Sequence, residues 1–165
     1  ANGLLNLVVP LKKWYSHTPI EYIEVSYDEN WQKLHWRSIE SAYRASPFFE
    51  FYDEEIKPLV FSKETNLLKR NLLIENMVTK IIGIKSTAKF TSTYESQQPD
   101  WRTIINPKYK VEIDSIEVPK YIQVFEGKQK FIPNLSILDL LFNLGPESKL
   151  YLTQLNQSIK YGSKN

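Results

Sequence analysis

The segment PNLSILDLLFNLG, residues 133–145, constrains the fold most, because a helix over it is apolar on almost every side. Such a helix has to be buried all round rather than along one stripe. Polar residues nevertheless recur on it at intervals of three and four, namely Ser136, Asp139 and Asn143. We therefore expect a helix over residues 136–144 in the core of the protein, ended by Gly145.

The polar residues of this helix have two interpretations. A row of buried polar residues on a helix is either a hydrogen-bonded structural network or part of a functional site. Ser136 and Asp139 have the spacing of a capping box, which favours a structural role. A buried, ionised Asp139 needs hydrogen-bond donors, and Ser136 and Asn143 are the nearest by spacing. In a functional site, Ser136 and Asp139 would be catalytic and Asn143 would bind substrate.

Further helices are predicted upstream by the spacing of apolar residues. The first follows Asp28, a good N-cap, and stops before Pro47. The second covers residues 48–59. The third begins at Ser62 and ends at Gly83, because glycine suits the left-handed position after a helix.

Strands are predicted where apolar residues run together or alternate. Residues 4–11 form a nearly continuous apolar run and residues 20–27 alternate, so these segments are expected to pair. Further strand patterns follow at residues 85–94, 111–116 and 121–125. The sequence thus predicts a single α+β domain over residues 1–156, a small antiparallel or mixed sheet packed with several helices. Residues 157–165 should form a loose C-terminal tail.

The start of the chain also carries a structural signal. Asn2 and Gly3 are a strong hairpin-turn pair directly before the first predicted strand. A hairpin turn needs a strand on both sides, so we expect the natural protein to extend upstream. The first strand would then have an exposed edge, or would pair through that edge with another copy of the chain.

The composition excludes several classes of function. With 42% hydrophobic and 24% charged residues among 165, the chain is typical of one globular domain. A net charge of +2 offers no broad surface for nucleic acid, and no apolar run reaches the ~18–20 residues of a membrane span. The lack of cysteine excludes disulfides, thiol catalysis and cysteine zinc sites, and it fits a cytoplasmic protein.

No metal or cofactor motif is recognisable. The two histidines, His17 and His35, are too far apart for a metal-binding pair on one helix. Phosphate-binding glycine loops and dinucleotide fingerprints are missing, and five glycines in all leave little room for them. The sequence therefore predicts no metal site, while it leaves open a magnesium ion bound by carboxylates and leaves the cofactor unknown.

Two further candidates lie on predicted helices, the pair His35 and Ser38 on the first and Asn71 on the third. His35 and Ser38 share the inward face of the first predicted helix, where a histidine beside a hydroxyl suits general acid–base catalysis. The structural alternative is a core histidine bonded to a backbone carbonyl. Asn71 lies between apolar residues on the third helix, where its buried amide would bind a substrate or clamp a neighbouring loop.

The long connection over residues 95–110 is a candidate anion site. Arg102 and Lys108 lie in it, beside a short predicted helix. Arginine, lysine and the N–H groups of a helix start together suit a phosphate or a carboxylate. The alternative is a solvated basic loop.

Several stretches together resemble the WbqC-like protein family. They are NGLLNLVVPLKK, TPIEYIEV, the helix NWQKLHWRSIESAYRASPFFEFY and, most specifically, YIQVFEGKQKFIPNLSILDLLFNLGPES. The stretch DWRTIINPK, together with YIQVF, resembles the form seen in Bacteroidetes. The similarity covers residues 2–152, whereas the segment with which members usually begin, around a QPxYFP-like motif, is missing.

The resemblance implies a role in the biosynthesis of O-antigen or another bacterial surface polysaccharide. It implies a transferase that modifies a sugar nucleotide or a lipid-linked sugar, by acyl or aminoacyl transfer to an aminosugar. The alternative is a non-catalytic module that docks other biosynthetic enzymes. A shared pocket with His35, Arg102 and Asp139 would favour the enzyme. Dispersed positions beside exposed aromatic residues such as Trp14 and Tyr15 would favour docking.

Overall fold

A computed structural model describes residues 5–85, 89–91, 93, 118–127, 130–133 and 135–158 of the chain. The α-helices among these residues are α1 (Trp31–Tyr43), α2 (Phe49–Phe61), α3 (Leu67–Ile82), α4 (Ile137–Leu144) and α5 (Ser148–Ser158). Short 3₁₀ turns cover Ile20–Tyr22 and Gly145–Glu147. None of the described helices is both long enough and apolar enough to cross a membrane.

The predicted α+β class is wrong, because the part of the chain that the structure describes is helical and contains no strand or sheet. Isolated antiparallel bridges join Leu11 to Val25 and Glu24 to Asn66. A strand needs a neighbour that pairs with it over several residues, and these segments meet at single positions only. The apolar run at the start of the chain also remains in contact with solvent, since Val8 is 69% exposed. The predicted pairing of a first strand with another copy of the chain therefore has no strand to support it among the described residues.

The other predicted strands have different outcomes. The described residues within 85–94 form no strand. Residues 121–125 run without regular structure into a turn over residues 124–127. The pattern at 111–116 lies outside the described residues, and so does the predicted tail except for residues 157 and 158, which are the last two residues of α5.

The predicted helices α1, α2, α3 and α4 are confirmed, with different starts for α1 and α3. The short helix predicted within residues 95–110 lies outside the described residues. Helix α1 begins after Asn30, whereas Asp28 accepts a hydrogen bond from the Ser26 hydroxyl at 2.6 Å and lies outside the helix. The second helix continues to Phe61 although it contains Pro58.

The third helix begins later than predicted and ends where predicted. Its N-cap is Asn66 rather than Ser62, and the Asn66 side chain accepts from the Lys69 N–H at 2.9 Å. Gly83 ends α3 in the left-handed conformation, with φ at 73°. Asparagine is favoured at an N-cap because its side-chain oxygen accepts a backbone N–H, and glycine is favoured after a helix because it adopts the left-handed conformation without strain.

The hydrophobic core lies where α1, α2 and α4 meet. Its buried members are Trp36, Ile39, Phe49, Tyr52, Ile56 and Phe142. The Phe142 ring is fully buried, with its centroid 5.1 Å from that of Phe49 and 5.2 Å from that of Tyr43. The predicted burial of α4 is therefore confirmed over residues 139–143, while Ile137 and Leu138 are half-buried.

Gly145 lets the chain leave α4 close to the core. The backbone there has a φ of 54°, and a Cβ atom would lie 2.6 Å from the Phe48 ring. The Phe48 N–H donates to the Phe142 carbonyl at 3.0 Å, which fixes the ring against this turn. Glycine is needed both for the backbone conformation and for the space.

Arg70 of α3 closes the C-terminal end of α2. Its side chain is 4% exposed and donates to the carbonyls of Leu59, Val60 and Ser62 at 3.0–3.3 Å. The guanidinium also lies 5.0 Å from the centroid of the Trp31 ring. A cation is stabilised at a helix C-terminus because unpaired carbonyls and the helix dipole present negative charge there. This contact fixes α3 relative to α1 and α2.

Candidate functional site

The candidate site is centred on Asp139, in the first turn of α4. The residue is 3% exposed. Its Oδ2 accepts a hydrogen bond from the Tyr121 hydroxyl at 2.5 Å, and Gln123 Nε2 lies 3.4 Å from the same oxygen. The predicted burial of Asp139 is thus confirmed, but its donors come from the segment before the helix.

Ser136 and Asn143 serve the backbone of α4 and not the Asp139 carboxylate. The Ser136 Oγ is the N-cap acceptor for the Leu138 N–H at 3.3 Å, and the residue is exposed. Asn143 is buried and donates to the backbone carbonyl of Asp139 at 2.7 Å. The expectation that both would donate to the carboxylate is therefore wrong, because local backbone groups compete for short polar side chains.

Gln123 connects two loop segments beside the carboxylate. Its Nε2 donates to the Ile132 carbonyl at 2.9 Å and its Oε1 accepts from the Ile132 N–H at 3.0 Å. This pair of bonds uses both ends of the buried amide, so the 3.4 Å approach to Asp139 is its weaker interaction. Gln123 therefore mainly positions the chain around Tyr121, and it does less to stabilise the negative charge of Asp139.

Aromatic contacts hold the Tyr121 ring. Its centroid is 5.5 Å from that of Phe131 and 5.2 Å from that of Tyr151, and both pairs meet edge to face. The Tyr151 hydroxyl donates to the Pro119 carbonyl at 2.9 Å. Edge-to-face pairs of this kind contribute about 0.5–1.5 kcal/mol beyond the area that they bury. Tyr121 is thus held at its ring and at its hydroxyl.

The tyrosines around Asp139 remain neutral donors at ordinary pH. Burial, followed by the hydrogen bond to Asp139, raises the pKa of Tyr121. Burial raises the pKa of Tyr43 to about 12, and the nearby Asp139 charge adds to the effect. No salt bridge between Asp139 and a lysine or arginine is found within the described residues. A carboxylate in such surroundings suits general base catalysis or the recognition of a hydroxyl or amino group.

His35 lies elsewhere, at the other end of α1. Its Nε2 is 3.0 Å from the Val8 carbonyl, and its ring meets that of Trp31 edge to face at 4.9 Å. Burial, with the neighbouring Arg70 charge, lowers the pKa of His35. Tyr43, which lies beside Asp139, follows His35 by two helical turns, roughly 12 Å along the axis. The structure therefore does not bring His35 and Asp139 together.

The predicted residues Ser38 and Asn71 do not join the Asp139 cluster, which consists of Asp139, Tyr121, Gln123 and Tyr43. Ser38 donates its hydroxyl to the Leu34 carbonyl at 2.8 Å, within α1. Asn71 is exposed, so its predicted position on the inward stripe of α3 is wrong. The neighbouring Arg70 faces inward instead, because it caps α2. Arg102 and Lys108 lie outside the described residues, and the predicted anion site stays a prediction.

Sequence reasoning missed Tyr43, Tyr121 and Gln123 as neighbours of Asp139. A signal was present for each of them. Tyr121 and Gln123 are two residues apart and share a face of an extended segment. Tyr43 follows Ile39 by four residues, which places it on the inward face of α1. Nothing local, however, connects any of the three with a residue on α4.

In the regions that the structure describes, no three histidine, aspartate or glutamate side chains lie close enough together to hold a metal ion.

Comparison with known proteins identifies the family. The profile of the WbqC-like protein family matches residues 1–115 and 106–151. The chain belongs to the WbqC-like protein family. Asp139, Tyr121 and Gln123 lie in the second matched region, and Tyr43 lies in the first matched region. The uncharacterized protein Rv1507c of Mycobacterium tuberculosis is 26% identical over 189 residues, which cover 95% of this chain and 79% of that protein. No solved structure matches the chain significantly.

Proposed function

We propose that this WbqC-like chain contributes to bacterial surface-polysaccharide biosynthesis, as part of a transferase that modifies a sugar. The family supports the pathway, because the resemblance described above associates it with surface-polysaccharide genes. The observation that carries the enzymatic part is the Asp139 carboxylate, which is 3% exposed and bonded by Tyr121. A buried carboxylate whose hydrogen-bond donors are neutral side chains is suited to accept a proton from a substrate.

The proposed chemistry is acyl or aminoacyl transfer to an aminosugar carried by a nucleotide or a lipid. The sugar amine attacks the carbonyl carbon of the acyl donor, a C–N bond forms, and the bond from that carbon to the leaving group breaks. The amine loses a proton in this step, and Asp139 is the group that accepts it. General base catalysis by a positioned side chain typically contributes 10²–10⁴-fold to a rate.

Asp139→Asn tests this proposal, because it removes the charge and keeps a hydrogen-bond acceptor for Tyr121. The variant is expressed from the full-length gene in a strain that lacks it, and the surface glycan is followed by gel mobility and mass spectrometry. We expect loss of the sugar modification at a normal protein level. Asp53→Asn on α2 is the matched control and should restore the glycan. A fully modified glycan with Asp139→Asn would rule out the catalytic role.

A second candidate is a docking module for other biosynthetic enzymes. It is favoured by the separation of His35 from Asp139, because a pocket shared by these residues is what would favour the enzyme. It is also favoured by three aromatic residues, Trp14, Tyr15 and Tyr22, which are 53%, 69% and 70% exposed. Exposed aromatic residues are enriched where proteins associate. On this candidate, Trp14→Ser with Tyr15→Ser abolishes co-purification of the pathway enzymes and the glycan modification, while Asp139→Asn leaves both unchanged.

A further inference from the structure

Asp139 cannot meet a substrate in the structure as it stands. Its side chain is 3% exposed, and the oxygen Oδ2 is occupied by the Tyr121 hydroxyl at 2.5 Å. A substrate amine or hydroxyl that donates to this oxygen has to replace that phenol. The proposed function therefore requires the segment that carries Tyr121 to move.

The segment that carries Tyr121 and Gln123, residues 118–127, is held by side-chain contacts and not by regular secondary structure. It contains no helix or strand, and Gln123 is its buried residue, whereas Ile122 is 77% exposed. Among the described residues, hydrogen bonds hold it from Tyr121 to Asp139, between Gln123 and Ile132, and from the Tyr151 hydroxyl to Pro119. The Tyr121 ring also packs edge to face on Phe131 and Tyr151. Segments with few buried apolar contacts open at a lower free energy than the helices that form a core.

We propose that residues 118–127 form a strap that closes the Asp139 site, and that the Tyr121 phenol occupies the place of the substrate's amino or hydroxyl donor. This inference rests on the proposed function, and it adds an autoinhibitory contact to it. This exchange keeps the charge of the site unchanged, because the phenol, a neutral donor, leaves the carboxylate as the neutral amino or hydroxyl group of the substrate binds to it. The raised pKa of Tyr121 is consistent with this exchange, since the phenol departs with its proton.

Chemical labelling of carboxylates measures the cover directly. The purified full chain is treated with a water-soluble carbodiimide and glycine ethyl ester, and each labelled aspartate is quantified by peptide mass spectrometry. In the parent protein we expect Asp139 to react at least tenfold more slowly than the exposed Asp28. Tyr121→Phe removes the hydrogen bond to the carboxylate and should raise the Asp139 rate about tenfold. Tyr15→Phe makes the same chemical change on an exposed ring and should alter nothing.

A second variant and a second measurement separate local opening from global unfolding. Tyr151→Phe releases the strap at Pro119 without touching Asp139, and it should also raise Asp139 labelling. In both variants, amide hydrogen exchange should accelerate in residues 118–127 and stay unchanged in α1 and α2. Equal acceleration in these helices would show global destabilisation and overturn the strap. An unchanged Asp139 rate in both variants, or fast labelling in the parent, would overturn it as well.

The labelling experiment needs no substrate, so its failure is distinct from failure of the proposed function. If Asp139 is covered and released as expected while Asp139→Asn still modifies the glycan, the catalytic role fails and the autoinhibitory role fails with it. If Asp139→Asn abolishes the modification but labelling shows no cover, the strap alone is wrong.

Discussion

Replacing Asp139 by alanine tests the part of the structure on which most of the site depends. The substitution removes the acceptor of the 2.5 Å bond from the Tyr121 hydroxyl and leaves that phenol without its partner. It also removes the weaker 3.4 Å approach of Gln123, which keeps its two bonds to Ile132. The backbone bond from Asn143 to residue 139 is unaffected, because it uses the carbonyl.

The expected loss follows from these contacts. Leaving a half-buried hydroxyl without its partner costs about 1–3 kcal/mol, and hydrogen bonds to charged groups are at the upper end of the range. Relief from burying a charge offsets part of this cost. We expect Asp139→Ala to lower the free energy of unfolding by about 2 kcal/mol. For a chain of this size that corresponds to a fall in Tm of about 4–8 °C.

Urea denaturation of the parent, Asp139→Ala, Tyr121→Phe and the double variant measures this contribution. The double-mutant cycle isolates the bond, and we expect a coupling of about 1 kcal/mol or more between the two positions. A coupling near zero would refute the hydrogen bond as a stabilising contact. An unchanged or increased stability of Asp139→Ala would mean that the carboxylate is kept at the expense of stability, as functional residues often are.

Three further predictions concern the surroundings of this site. Gly145→Ala should destabilise by about 1–3 kcal/mol in urea, because the new Cβ would lie 2.6 Å from the Phe48 ring; a neutral result would contradict the tight turn. Phe142→Ala empties the middle of the core and should cost about 3–5 kcal/mol by the same measurement. Burial raises the pKa of Tyr43 to about 12 from 10.0, so the unfolded chain loses this proton first, and the stabilisation present below pH 10 is lost as the pH rises towards 12. The difference in Tm between the parent and Tyr43→Phe should therefore shrink between about pH 10 and pH 12, and a constant difference would contradict the shift.

The sequence by itself determined where the helices lie and where two of them end. Apolar spacing places α1, α2 and α3, and the apolar character of α4 predicts its burial. Gly83 and Gly145 end two of them where predicted. These features are local, since a helix forms its hydrogen bonds within one segment and its caps lie within one turn.

Tertiary structure decided what becomes of the extended segments. The pattern at residues 4–11 and 20–27 is that of strands, yet Leu11 and Val25 meet in a single bridge. A strand is stable only when a neighbouring segment pairs with it, and the alternation of apolar residues cannot show whether such a segment lies beside it in the fold. For the same reason the sequence does not show that Arg70 lies in the interior. Its position depends on the carbonyls at the end of α2, to which it donates.

The candidate site was determined by both. The sequence alone predicted a buried Asp139, because the helix around it has no polar face. It could not predict Tyr121 and Gln123 as the neighbours, which lie 18 and 16 residues away along the chain. Nor could it show that Tyr43 of α1 faces the same carboxylate. Local pattern reports whether a side chain is buried, whereas its partners depend on how separate segments pack, and only the folded chain brings them together.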